Sequence, residues 1–144
     1  MFIDASMTRD VISVDQDAGI MEAKILMNKH RIHHLPVVDQ DNTLLGIVTD
    51  RDILRALPSA FLDDQETLRD NERLTQWKIK DIMSKNVYTV SPTNTLEDAL
   101  LLMEKVPVGA FPVVDQHNKL KGIISIRDLM RAFKIGRASC RERV

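Results

Sequence analysis

Sliding the chain against itself by 76 positions lays Met7–Ala56 on Met83–Ala132 without a gap, and twenty of the fifty aligned positions are identical. Average composition would give about 3. The identities gather in Pro36-Val37-Val38-Asp39-Gln40 against Pro112-Val113-Val114-Asp115-Gln116. They gather again in Gly46-Ile47 and Arg51-Asp52 against Gly122-Ile123 and Arg127-Asp128. A duplicated unit of about 50 residues is too small to bury a stable core alone. Two copies packed together are therefore expected.

Each copy reads as strand, helix, strand, strand, helix, a mixed α+β pattern. Val11–Val14 and Val87–Val90 are β-branched and extended. Ile20, Ala23 and Met27 form a helical stripe, as do Leu96, Ala99, Leu100 and Met103. Asp17 and the Asn94–Glu97 pair are the expected caps of those helices. Leu35-Pro36-Val37-Val38 and Phe111-Pro112-Val113-Val114 are apolar on both faces, which predicts central strands with each proline at the strand start. Polar turns at Asp39–Asn42 and Asp115–Asn118 return the chain through Leu44–Val48 and Leu120–Ile124, and helices follow at Arg51–Leu57 and Arg127–Phe133.

The stretch Gly46-Ile47-Val48-Thr49-Asp50-Arg51-Asp52 and its counterpart Gly122-Ile123-Ile124-Ser125-Ile126-Arg127-Asp128 carry the chemistry. Each strand ends on a hydroxyl, and a carboxylate follows three positions later. Thr49 with Asp52, and Ser125 with Asp128, fit capping boxes that satisfy first-turn amides. The same geometry also suits a nucleoside phosphate. The helix start, the hydroxyl and Arg51 or Arg127 offer phosphate donors, while the aspartate can accept from ribose hydroxyls. Both readings stand at this level.

Asp81-Ile82-Met83-Ser84, the Leu35–Asp39 strand and the glycine–hydroxyl–aspartate motif in both copies resemble the CBS domain, and the tandem resembles a Bateman module. The resemblance runs from Ile3 to about Phe133. It implies two β-α-β-β-α repeats packed by pseudo-two-fold symmetry, with clefts between them for AMP, ADP, ATP or S-adenosylmethionine. It implies that Asp52 and Asp128 hold ribose and that Thr49 and Ser125 approach phosphate. Ser13, His33, His34 and Pro36 in one copy would line the adenine pocket, with Thr89, Gly109, Ala110 and Pro112 in the other. His33-His34 against Gly109-Ala110 predicts that the two sites differ. The resemblance further implies a homodimer formed through helices.

The expected organisation is a first repeat over 1–57, a linker with a helix (roughly Asp64–Trp77) over 58–79, and a second repeat over 80–134. Residues 135–144 match the translation of a common sequencing-library adapter, so they are expected to lie outside the authentic gene product. The net charge of −1 gives no basic surface for nucleic acid, and no apolar run is long enough to span a bilayer. One cysteine and no basic-then-apolar N-terminal segment predict a cytoplasmic protein. His30, His33 and His34 lack the companion ligands of a zinc site, so no metal and no tightly bound cofactor are expected. Lys78 and Lys80 are solvated linker charges or could reach a triphosphate, and Arg55 and Arg131 are placed to pair with Asp52 and Asp128. No catalytic motif occurs. The expected function is a non-catalytic sensor of adenine nucleotides acting on an unknown downstream protein. The alternative is a dimerisation module with empty clefts, broken from a larger enzyme or transporter.

Overall fold

A computed structural model of the chain describes residues 1–56 and 77–142, with side chains through Lys134. The expected linker helix at Asp64–Trp77 falls almost wholly outside the described residues. Two compact units divide the chain, one formed by Ile12–Val87 and the other by Met1–Val11 with Tyr88–Val144. In the first, β1 (Val14–Asp15), α1 (Ile20–His30), β2 (His34–Val38), β3 (Leu44–Thr49) and α2 (Asp50–Ala56) follow in order. In the second, α3 (Leu96–Lys105), β4 (Ala110–Val114), β5 (Leu120–Ser125) and α4 (Ile126–Glu142) repeat the pattern. Among the described residues no helix is long and apolar enough to cross a membrane.

The two hairpins share one register. β2 pairs antiparallel with β3 from His34↔Thr49 to Val38↔Leu44, with a bulge at Val37/Val38. β4 pairs with β5 from Ala110↔Ser125 to Val114↔Leu120, with its bulge at Val113/Val114. The turns match as well. Asp39 Oδ1 accepts the backbone N–H of Asp41 and Thr43 at 2.9 Å, and Asp115 Oδ1 accepts those of His117 and Lys119 at 2.9 and 3.0 Å. Asn42 and Asn118 take the left-handed conformation (φ 64° and 62°) that asparagine tolerates better than most residues.

β2 is central, with β1 parallel on one side and β3 on the other. Pro36 and Pro112 sit in the middle of their strands, not at the start as the sequence suggests. The reason is the way the parallel partner ends. The Val90 N–H donates to the Pro112 carbonyl at 3.1 Å, and the Val114 N–H donates to the Val90 carbonyl at 3.0 Å. The next rung upstream would need the Pro112 N–H, which proline lacks. Val90 is thus a single bridge to Val113, and Val87–Thr89 are not a strand. The bridge Val14↔Val37 puts Pro36 in the same place, so β1 shrinks to Val14–Asp15 and Val11–Ser13 lie outside it.

The far edge of each sheet is closed by the lead segment of the other sequence copy. Thr8 and Ile123 exchange backbone hydrogen bonds of 2.9 and 3.0 Å, and Ser84 and Ile47 exchange bonds of 2.9 and 3.0 Å. This close approach explains the repeated glycine. A Cβ on Gly122 would lie 2.8 Å from the Thr8 carbonyl oxygen and 2.7 Å from Met7 Sδ. One on Gly46 would lie 2.7 Å from the Ser84 oxygen and 2.8 Å from Met83 Sδ. Met7 and Met83 are thus matched residues under each other's sheet.

Ile20, Ala23 and Met27 are buried on α1 with Leu35, Val37, Val48 and Ile53. On α3, Leu96 and Ala99 are buried with Phe111, Val113, Ile124 and Leu129, and Met103 packs at their margin. Leu100 is 39% exposed, contrary to the expected stripe, and Leu102 takes the inward place. The α3 cap also shifts by one residue. Thr95 Oγ1 accepts the Asp98 N–H and Asp98 Oδ2 accepts the Thr95 N–H, a complete capping box. Asn94 is engaged instead by the Ser91 N–H at 2.7 Å, which closes the preceding turn. These contacts hold the Asp98 carboxyl below its ordinary range, the backbone bond to Thr95 first. The matching cap in α1 is Gly19 rather than Asp17, and it has no side chain to contribute.

Candidate functional site

β2 and β3 carry the candidate residues of the first unit to one end of its hairpin. His34 is the cross-strand partner of Thr49, and Pro36 that of Ile47. The Asp50 N–H donates to the His33 carbonyl at 3.1 Å, which ties the start of α2 to the start of β2. The Val14↔Val37 bridge brings Ser13 alongside Pro36. Ser13, His33, His34, Pro36, Thr49 and Asp52 are therefore neighbours, with Arg51 exposed at the same helix start.

The capping reading of Thr49 and Asp52 is present in full. Asp52 Oδ2 accepts the Thr49 N–H at 2.9 Å and its hydroxyl at 3.0 Å, while Thr49 Oγ1 accepts the Asp52 N–H at 3.2 Å. All of this uses one carboxylate oxygen. Oδ1 of Asp52 takes no hydrogen bond among the described residues. Capping and ligand binding are thus compatible roles for one side chain.

The second unit repeats the frame. Ala110 pairs with Ser125, Pro112 with Ile123, and the Ile126 N–H donates to the Gly109 carbonyl at 3.0 Å. Asp128 Oδ2 accepts the Ser125 N–H at 2.9 Å and its hydroxyl at 3.0 Å, again leaving Oδ1 without a partner among the described residues. Asp128 is a buried charged residue (8% exposed). Thr89 lies beside Pro112 through the Val90↔Val113 bridge, and Arg127 is exposed. Thr89 also borders an open groove of about 560 Å³, reached by Ser91, Thr93 and Asp115–His117 at the turn end of the hairpin.

Three further expectations meet the geometry. Neither Arg55–Asp52 nor Arg131–Asp128 forms an ion pair among the described residues, because each carboxylate is turned back to its own cap. Lys78 and Lys80 reach Asp17, at 3.8 and 3.3 Å. Among the described residues no three His, Cys, Asp or Glu are grouped to hold a metal.

One contact escaped the sequence reading. His33 Nδ1 lies 3.0 Å from Asp50 Oδ2, both side chains being largely exposed. The residues are 17 apart, so only the hairpin register could have revealed the pair. His34 beside it is partly buried, and desolvation lowers its pKa from 6.5. Asp50 and Asp52 oppose that shift, and His33 adds to it.

Each unit is thus a small α+β domain whose hairpin delivers a hydroxyl–aspartate pair to a helix start. The chain belongs to the CBS-domain family: the family model described as CBS domain matches residues 3–59 and 79–135. A CBS domain-containing protein of Dictyostelium discoideum is 35% identical over 124 residues, covering 86% of this chain and 85% of that protein. The inosine-5'-monophosphate dehydrogenase of Methanocaldococcus jannaschii is 34% identical over 94% of this chain, which spans only 24% of that enzyme. Among solved structures, the CBS domain pair of protein MJ0100 in complex with 5'-methylthioadenosine and S-adenosyl-L-methionine matches with a TM-score of 0.76 and 29% identity. That match covers 93% of this chain and 96% of that one. CBSX2 of Arabidopsis thaliana in complex with AMP matches with a TM-score of 0.77 and 27% identity, over 94% and 98% of the two chains.

Proposed function

We propose that this chain is a non-catalytic regulatory module that binds adenosine-based ligands of the AMP, ADP, ATP and S-adenosylmethionine class, one set of binding residues lying in each unit. The observation that carries the reading is the divided carboxylate. Asp52 and Asp128 each hold a cap with Oδ2 and keep Oδ1 to accept the vicinal hydroxyls of a ribose. Arg51 or Arg127, exposed at the helix start, supplies donors for the 5' group, and the Thr49 or Ser125 hydroxyl joins it by turning its one proton from Oδ2 to the ligand. Pro36 and Pro112 interrupt the neighbouring ladder beside Ser13 and Thr89, leaving backbone there to meet the adenine edge. The ligands in the related CBS pairs support the choice of adenosine. The module acts in the cytoplasm on a downstream protein.

Pairing of two copies belongs to the same reading. Ile25 and Leu54 in one unit match Leu101 and Met130 in the other by the 76-residue offset, and all four are exposed apolar side chains on helices. A patch repeated on both units is complemented by the same repeated patch on a second copy.

Isothermal titration with AMP, ADP, ATP and S-adenosylmethionine tests the function. At least one is expected to bind with Kd below a millimolar. No heat from any of the four would contradict the proposal.

A further inference from the structure

Beyond the hydroxyl exchanges Ser13/Thr89 and Thr49/Ser125, three side chains separate the two sets of binding residues. Where the first unit has His33, His34 and Asp50, the second has Gly109, Ala110 and Ile126. The backbone frame is the same, since Asp50 N–H donates to the His33 carbonyl and Ile126 N–H to that of Gly109. Both side chains reach solvent: Asp50 is half-buried and Ile126 is exposed. What differs is charge. With neutral imidazoles, the first set holds Asp50, Arg51 and Asp52, a net −1, and the second holds Arg127 and Asp128, a net zero.

Asp50 stands between Thr49 and Arg51, the two residues offered above to the 5' end of the ligand. A carboxylate there repels a phosphate dianion and tolerates an uncharged or cationic group. Ile126 in that position imposes no such penalty. His33, 3.0 Å from Asp50, orients its carboxylate at the site margin.

We propose that Asp50 is a specificity-determining residue. It sets the Thr49/Asp52 site to adenosines whose 5' substituent is uncharged or cationic, while the Ser125/Asp128 site, with Ile126, accepts adenosine 5'-phosphates. This rests on the adenosine reading above and adds the division of ligand class between the sites.

The test uses one-site proteins. Asp128→Ala leaves the Thr49/Asp52 site, and Asp52→Ala leaves the other. Each is titrated with AMP and with 5'-methylthioadenosine at pH 8.5, about two units above the ordinary imidazole range. The ratio of the two Kd values should differ between the proteins by about tenfold. That is the scale Coulomb's law gives for a carboxylate facing a phosphate through a wet, high-dielectric margin. Adding Asp50→Ile to Asp128→Ala should abolish the preference for 5'-methylthioadenosine. Adding Ile126→Asp to Asp52→Ala should install it. The same ratio in both one-site proteins, or a ratio indifferent to both exchanges, overturns the proposal while leaving the adenosine reading intact. No binding of either probe to the unsubstituted chain overturns the division of ligand class, and no binding of ADP, ATP or S-adenosylmethionine as well overturns the adenosine reading.

Discussion

At the scale of single residues, the hydroxyl–aspartate pair shows why motif reading stops short. Thr49–Asp52 and Ser125–Asp128 were legible in the sequence as caps and as ligand groups, and spacing alone had no means to separate the two. The coordinates remove the conflict by assigning the cap to one carboxylate oxygen. The His33–Asp50 contact was invisible because it depends on strand register across 17 positions. His34 carries a pH consequence. Burial holds its folded pKa below 6.5, so the unfolded chain binds the proton more readily. Its neutral form therefore supports the fold above pH 6.5, and that support is lost as pH falls through the folded value. The melting temperature of the chain should drop more steeply between pH 7 and pH 5 than that of His34→Gln. Parallel pH profiles would argue against this role.

At the scale of elements, order and register were legible because both copies repeat the same apolar strand, Asp-started turn and glycine. Strand lengths were not, since they depend on which side of β2 the Pro36 N–H position faces. Two substitutions test the element accounts. The α1 cap, Gly19, has extended backbone (φ −77°, ψ 155°) and open space around its would-be Cβ, with Glu22 three residues on. Gly19→Ser should complete a capping box like that of Thr95–Asp98 and stabilise the chain by about 0.5–1 kcal/mol in urea unfolding. An unchanged or lower midpoint would contradict it. Gly122→Ala should do the reverse, since its Cβ meets a backbone oxygen at 2.8 Å. A loss of about 1–3 kcal/mol is expected, and a neutral result would mean that the Met7–Thr8 segment is free to shift.

At the scale of the whole molecule, duplication gives the chain two related sets of candidate binding residues and two related apolar helix faces. Neither is a simple copy, because the side chains at the start of the hairpin and at the helix start have diverged. If the helix faces pair two copies, Ile25→Glu combined with Leu101→Glu should convert a dimer to a monomer in sedimentation velocity, with far-UV circular dichroism unchanged. A monomeric unsubstituted chain at micromolar concentration would refute the pairing. The central claim is that Asp52 and Asp128 each hold a ribose. Its most direct test is calorimetric titration of AMP and 5'-methylthioadenosine into the unsubstituted chain, the two single Asp→Ala variants and the double variant. Each single substitution should remove one of two binding events, and the double should remove both while the chain stays folded, at a cost of about 0.5–2 kcal/mol per lost cap. A folded double variant that binds both ligands as tightly as the unsubstituted chain would contradict the account.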